Sequence, residues 1–482
     1  MEIQQSRSVR KKASSVSVLQ KVEGLSLKLL IFLATFVSYG VLLIILQDLT
    51  YKGKVTLIAF LTAMLLWIFS SFSAGLVALG ALLSIVLLQA APPALLYESL
   101  AEEIVWLMIG SFIIGESVRS SGLASRMSKV ILRKATSLSK VLSFFTITLQ
   151  PLSFFIPSTS GRAALTLPVV KELSVLFTNE KQKSTLAMLA PIIILIGSSA
   201  TIIGAGSHII GIGLLNTSTG EKISYFQWFI WGAPFALVMC GITLLIIKLL
   251  FWQQEPLMKV KEVPEKTQPF TIKEKRTLFL LTTLILFWMT ESIHGYDIAF
   301  ITMVGALLFM LPHYGIINWK QGMNSVSWNL IIFVAAATAL GKAIVDTGVV
   351  DWLQSFIFNK LGFLQSAPSI IMLLIILIIS VTSHIYITSH TTRAVVMIPS
   401  FLVLSQTLDL NATAVVFLSL VGMNYCVTFP VSSKALLLFY EDEKISYSAK
   451  DLIKLSLVLM PIYIVVMVCF YYTYWRWTGL TL

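Results

Sequence analysis

Long apolar runs set the pattern of this chain. Residues 27–46, 55–69, 226–251 and 452–472 are almost free of charge. Runs of this kind approach the roughly 20 residues with which a helix crosses a bilayer. Polar residues interrupt some runs where a plain span has no use for them. SHTTRAVVMIP (389–399) opens with polar residues that separate an apolar stretch at 370–387 from another at 394–404, and they include a histidine and an arginine. PSTSGRAALTLPVV (157–170) behaves in the same way. Non-helical backbone at membrane depth survives only inside protein or beside a water-filled cavity. Both interruptions therefore read as tips of re-entrant helical hairpins. The expected fold is an all-α polytopic membrane protein, with about 11 transmembrane helices and two re-entrant hairpins.

The interruptions are related. Gly115 and Gly122 align with Gly341 and Gly348 at an offset of 226. Ser158, Ser160, Arg162, Ala163 and Pro168 align with Ser389, Thr391, Arg393, Ala394 and Pro399 at an offset of 231. GSSATIIGAGSH (197–208) pairs more loosely with GMNYCVTFPVSSK (422–434), and places His208 opposite Lys434. Three matches in one order indicate an internal duplication. Span counting puts the first tip's hairpin on the cytoplasmic side and the second's outside, so the repeats are inverted. Inverted repeats with broken helices mark secondary transporters that bind substrate near the midplane. Four segments follow: a basic tail at 1–26, a first repeat at 27–252, a charged linker at 253–276 and a second repeat at 277–482.

Composition agrees. The chain is 57% hydrophobic and 12% charged, against about a quarter charged in soluble proteins; its mean hydropathy is +0.87. The net charge of +12 does not point to nucleic acid. Arg7, Arg10, Lys11 and Lys12, then Arg119, Arg126, Lys129, Arg133, Lys134 and Lys140, then Lys181 and Lys183, and Lys259 to Arg276 fall in loops of one side. The loop at 89–103 has no Lys or Arg and carries Glu98, Glu102 and Glu103. This is the positive-inside pattern. It predicts a cytoplasmic N-terminus in the plasma (inner) membrane; the first apolar run is long and lacks a small-residue cleavage site, so it is expected to be a retained first span. The cysteines Cys240, Cys426 and Cys469 show no paired spacing, so no disulfide framework or zinc site is expected.

The polar tips carry the candidate chemistry. Ser158 or Ser160 can cap one half-helix, and Ser389 or Thr391 the other. A capped helix start offers free N–H groups and the positive end of a dipole, which suits an anion. Arg162 and Arg393 lie in these first turns, where their charge is unfavourable unless an anion or a buried carboxylate such as Glu116 or Asp346 offsets it. Gly197–His208 and the stretch 422–434 read as helices broken midway.

At these residues the chain resembles the divalent-anion/sodium symporter family of the ion-transporter superfamily, most closely at 105–127, 151–170, 191–211, 330–353 and 382–399. The resemblance implies eleven spans, two hairpins in inverted repeats, a homodimer in the lipid bilayer, and an elevator motion with linking helices near 123–134 and 350–361. It implies substrate contacts at Ser158, Thr159 and Ser160, at Ser389, His390 and Thr391, and at Ser207, His208, Ser432, Ser433 and Lys434, joined by Arg162 and Arg393. It implies ion coupling near Gly197, Ser198, Ser199 and Thr201, and near Cys426 and Thr428. The chain also departs from the family. Each tip normally reads Ser-Asn-Thr, and each broken helix Thr-Pro-Pro-Asn. Here the tips lack Asn and the breaks read Ala-Gly-Ser-His and Val-Ser-Ser-Lys.

Arg162, Arg393 and Lys434 crowd fixed cations where sodium would sit. The expected function is therefore transport of a divalent or polyvalent anion, a di- or tricarboxylate first, by sodium-independent exchange or with protons. Sodium-coupled dicarboxylate, sulfate or phosphate symport is the alternative, with sodium as the only ion candidate and no other cofactor. A cation antiporter needs a buried carboxylate, and no Asp or Glu occupies a tip or break. A membrane enzyme acting on a lipid phosphate could use the same cations, but no nucleophile–base spacing, metal motif or phosphate loop accompanies them. A metal site from His384, His390 and Cys426 is a weak motif, and a sensor lacks an output domain.

Overall fold

The computed structural model describes residues 49–70, 72–123, 126, 130–131, 137–154, 156, 158–177, 179–252, 269–353, 355 and 367–482. The basic tail, the first span at 27–46, most of the charged linker and much of both linking helices lie outside the described residues.

The described chain is all-α. Polar residues start most helices, as the caps of α1 (Tyr51–Phe69), α2 (Ala74–Leu87), α12 (Ile298–Met310) and α17 (Ala412–Met423) illustrate: Thr50, Ser73, Asp297 and Asn411 each accept a backbone N–H of the first turn. One group of packed helices comprises α1, α2, α3 (Ala94–Ala101), α4 (Glu103–Ser120), α10 (Ile272–Met289), α12 and α14 (Trp328–Asp346). The other is built on α6 (Thr159–Ser174), α7 (Glu180–Gly197), α8 (Gly206–Thr219), α9 (Tyr225–Phe251), α16 (His390–Thr407), α17, α18 (Lys434–Tyr440) and α19 (Ala449–Thr473). Among the described residues, four helices are long and apolar enough to cross a membrane: Glu180–Ala200, Tyr225–Phe251, Trp328–Asp346 and Ala449–Thr473. The apolar window of the first is 89% buried and that of the last 33%. The first is thus the central helix of its group, and the last presents an apolar flank to lipid.

Both hairpins are present. In the first, α5 (Leu138–Leu149) gives way to a 3-10 turn over Gln150–Phe154, and α6 begins at Thr159. The descending α-helix stops at Leu149, well short of the tip. Pro151 has no N–H to donate to the 147 carbonyl, and the Gln150 N–H already bonds Ile147 O three residues back. In the second, α15 (Ser369–Thr382) ends in a 3-10 turn over Ser383–Ile385, and α16 begins at His390. Pro168 and Pro399 sit inside α6 and α16, which protein-packed membrane helices tolerate.

Both breaks are present too. After α7 the chain makes two 3-10 turns, Ser198–Ala200 and Ile202–Gly204, separated by extended Thr201. A Cβ on Gly204 would collide with Ser198 O, so only glycine allows the two turns to touch. A Cβ on Gly232 of α9 would collide with Ser199 O in the same way. The second break starts at Asn424, earlier than its proline, and runs through the 3-10 turn Pro430–Ser432 to α18.

Ion pairs mark two opposite faces. Lys222–Glu103 and Lys342–Glu98 (both 3.2 Å) hold one, and Arg126–Glu274 (2.8 Å) and Lys171–Asp442 (2.6 Å) the other. The helix leaving the first tip ends near Lys171. The helix leaving the second ends near 411–413, where Thr413 bonds Glu221, next to Lys222. The hairpins therefore enter from opposite faces, as an inverted repeat requires.

Candidate functional site

Four helix starts converge on one cavity. Ser158 Oγ accepts the Gly161 N–H (3.1 Å) and lies 2.9 Å from Ser160 Oγ. Ser389 Oγ accepts the Thr392 N–H (3.3 Å) and lies 3.3 Å from Thr391 Oγ1. The two tips thus share one capping arrangement. The start of α8 has no side-chain cap, and Ser433 Oγ accepts the Ala435 N–H at the start of α18. Packing crosses between the repeats: α6 lies on α18, and α16 on α8.

The cavity measures about 730 Å³, within the range of small-molecule sites. Ser158, Thr159, Ser160, Gly206, Ser389, His390, Thr391, Ser433 and Lys434 line it. Met108, Phe112, Phe333, Ser73, Ser327 and Asn329 of the other group close it. Ser73 and Asn329 lie at the ends of α2 and α14 remote from Glu98 and Lys342, so the cavity extends toward the face of Arg126 and Lys171. Among the described residues no Asp or Glu lines it, and Lys434 is exposed into it. Helix N-termini and an ammonium around such a cavity suit an anion by charge.

The arginines stand behind the tips. Arg162 is 1% exposed and Arg393 fully buried. Arg162 Nη2 donates to Gly204 O, and Arg393 Nη1 donates to Met423 O at 2.8 Å. Among the described residues, Arg162 Nε, Arg393 Nε and Arg393 Nη2 have no hydrogen-bond partner. Among the described residues neither arginine joins an ion pair. Glu116, weighed as a partner, is bonded to Arg119, Ser120 and Gln321 instead.

His208, Ser207 and Ser432 do not line the cavity. His208 is buried, with Nδ1 on Thr201 O (3.0 Å) and Nε2 against the Asn424 amide. Ser207 Oγ lies 3.3 Å from His390 Nδ1, and Ser432 Oγ accepts the Phe429 N–H within the second break.

The sequence matches the sodium:sulfate symporter transmembrane region over residues 25–481. The chain belongs to this family. A sodium-dependent dicarboxylate transporter, SdcS, of Staphylococcus aureus is 25% identical, over 97% of this chain and 93% of its own. A membrane protein of Cupriavidus necator is 25% identical over 77% of this chain and 74% of its own. The crystal structure of the Alcanivorax borkumensis YdaH transporter overlays with a TM-score of 0.50 at 15% identity, covering 78% of this chain and 85% of that one; it supports the fold alone. Membership makes this chain a membrane transporter and not an enzyme.

The candidate ion-coupling residues of this family member are buried in the breaks. Thr201 Oγ1 donates to Ser153 O of the first hairpin (2.8 Å), and Ser199 Oγ accepts from Asn424 Nδ2 (2.8 Å). Ser198 Oγ donates to Leu195 O, and a Cβ on Gly197 would stand 3.0 Å from Gln150 Oε1. Cys426 Sγ lies 3.6 Å from Asn424 O, and Thr428 Oγ1 joins His384 Nε2 and Ser456 Oγ, each at 2.7 Å. Among the described residues no group of three His, Cys, Asp or Glu side chains could hold a metal. Sequence reasoning missed Asn424, the residue that ties the two breaks together through His208 and Ser199. Its position at an apolar helix end was the available signal.

Proposed function

We propose that this transporter exchanges small divalent or polyvalent anions, di- or tricarboxylates first, without sodium. The observation that carries the reading is the pair Arg162 and Arg393. Each is buried, unpaired with any carboxylate among the described residues, and bonded to a carbonyl of a broken helix. Carbonyls of unwound helices are what coordinate sodium in transporters of this design. A guanidinium resting on one supplies a permanent positive charge in place of the ion.

The energetics favour exchange. Three fixed cations around an empty site are costly at membrane depth, since like charges about 4 Å apart repel by about 4 kcal/mol at an effective dielectric of about 20. An anion carrying two or more charges offsets this. The loaded site therefore crosses readily and the empty one does not, so each turn needs an anion in both directions. The moving part is the group holding both hairpins and both breaks, sliding as an elevator against the α1–α4, α10, α12 and α14 group. The working unit is a homodimer in the plasma membrane with its N-terminus cytoplasmic.

The second reading is sodium-coupled uptake, favoured by the SdcS relative, which is named sodium-dependent. Proteoliposome uptake of labelled citrate, malate, succinate, sulfate and phosphate separates the two. Exchange requires anion preloaded inside and ignores sodium. Sodium-driven uptake into empty vesicles overturns the fixed-cation reading.

A further inference from the structure

We propose that His390 takes up a proton at Nδ1 when the anion binds, so that each divalent anion crosses together with one proton. This rests on the reading that the cavity holds a multiply charged anion.

The geometry permits the step without moving a heavy atom. His390 Nε2 lies 3.1 Å from Met423 O. A carbonyl only accepts, so Nε2 carries a hydrogen in every protonation state. Nδ1 lies 3.3 Å from Ser207 Oγ. A hydroxyl both donates and accepts. With a neutral ring the Ser207 hydroxyl donates to Nδ1; with a protonated ring it turns and accepts. His208 lacks this freedom, because its Nδ1 faces the Thr201 carbonyl and its Nε2 an Asn424 amide that also serves Ser199. His384 does face a hydroxyl, but it is buried outside the cavity lining. Among the described histidines, His390 alone lines the cavity.

The charges around it supply the switch. Arg393 of its own helix shares the Met423 carbonyl with it. His208 lies on α8, packed against α16, and Arg162 stands behind the first tip. Lys434 lines the same cavity, as do the four helix starts, and none of the lining residues is acidic. The arginines, Lys434 and the helix starts all oppose an imidazolium while the cavity is empty, and His208, held neutral, adds no charge. A bound dianion reverses the local field. An opposite charge within ~4–6 Å favours the protonated ring. The proton comes from a hydronium ion of the water in the cavity: the Nδ1 lone pair forms the new N–H bond and a water molecule is left behind. Release of the anion returns the proton.

Because binding takes up a proton, dianion affinity falls as pH rises, by up to about tenfold per unit over the range in which the free ring is neutral and the loaded ring protonated. The test is calorimetric titration of the purified full-length protein with malate, succinate, citrate and sulfate in steps from about pH 8 down to about pH 6. Two buffers of different ionisation enthalpy report the protons exchanged. The expected result is proton uptake that approaches one per dianion toward the acid end of this range, with affinity rising there by up to about tenfold per unit of pH. His390→Asn should bind more weakly, take up no proton and lose the pH dependence. Binding without proton uptake, or the same uptake by H390N, overturns the proposal and leaves the carrier reading standing. Absence of binding by all four anions sinks the carrier reading, and this proposal with it. The wild-type pH profile decides the matter even if the variant does not fold.

Discussion

At the scale of single residues, the two arginines set the problem. A buried charge without a partner is among the costlier features a protein can carry, and an apolar replacement of like size is often neutral or stabilising. Arg162 has one hydrogen bond to a carbonyl and an unpaired Nε. If it serves transport, Arg162→Met should unfold in detergent at the wild-type temperature or above it, yet lose most anion uptake. A structural role predicts the reverse, with stability lost together with uptake. Thermal unfolding and proteoliposome exchange on one preparation separate the two. Lys434 differs because it is exposed into the cavity. Lys434→Gln should raise the anion KM by about 10–100-fold, the worth of a hydrogen bond to a charged group, with folding untouched.

Among elements, the hairpins and breaks are held by contacts distant in sequence. Lys171 at the far end of α6 pairs with Asp442, in the loop after α18, at 2.6 Å. Burial pushes the Asp442 carboxyl up, but the Lys171 hydrogen bond and the N–H groups of Lys444 and Ile445 outweigh it and hold the carboxyl below its usual range. The folded form thus binds its proton less readily than the unfolded chain. Its stabilisation is present above the unfolded carboxylate value of about 4 and is lost as pH falls through the folded value. Asp442→Asn should therefore cost about 1 kcal/mol or less at pH 7. The deficit should shrink in acid below about pH 4, as measured by paired unfolding curves.

For the whole molecule, the cavity extends toward the face that carries Arg126 and Lys171. Asn329 lies on the path to that face. Of the native thiols, only Cys469 is exposed among the described residues, while Cys240 and Cys426 are buried. In a Cys469→Ser background, Asn329→Cys should react with an impermeant thiol reagent added on the Arg126 side, more slowly when saturating anion is present. Equal labelling from both sides would contradict a cavity open to one face.

Local rules settle much of this molecule. Apolar runs of helical length specify an all-α membrane fold whatever they pack against, because hydrocarbon admits little else. The tip sequences, with Ser158 and Ser389 as caps, are equally local, since a cap is decided within one turn. The end of α5 is legible at Pro151, which has no N–H with which to continue the helix. Distance in the chain hid the rest. Nothing near Arg162 or Arg393 says that their guanidinium groups turn away from the cavity onto Gly204 O and Met423 O. Nor does the surrounding sequence say that His208 faces Asn424, 216 residues away, while His390 faces the cavity. Both histidines are polar residues at a helix start. Which one meets substrate depends on how α8 and α16 pack across the two repeats, and only the tertiary structure brings those helices together.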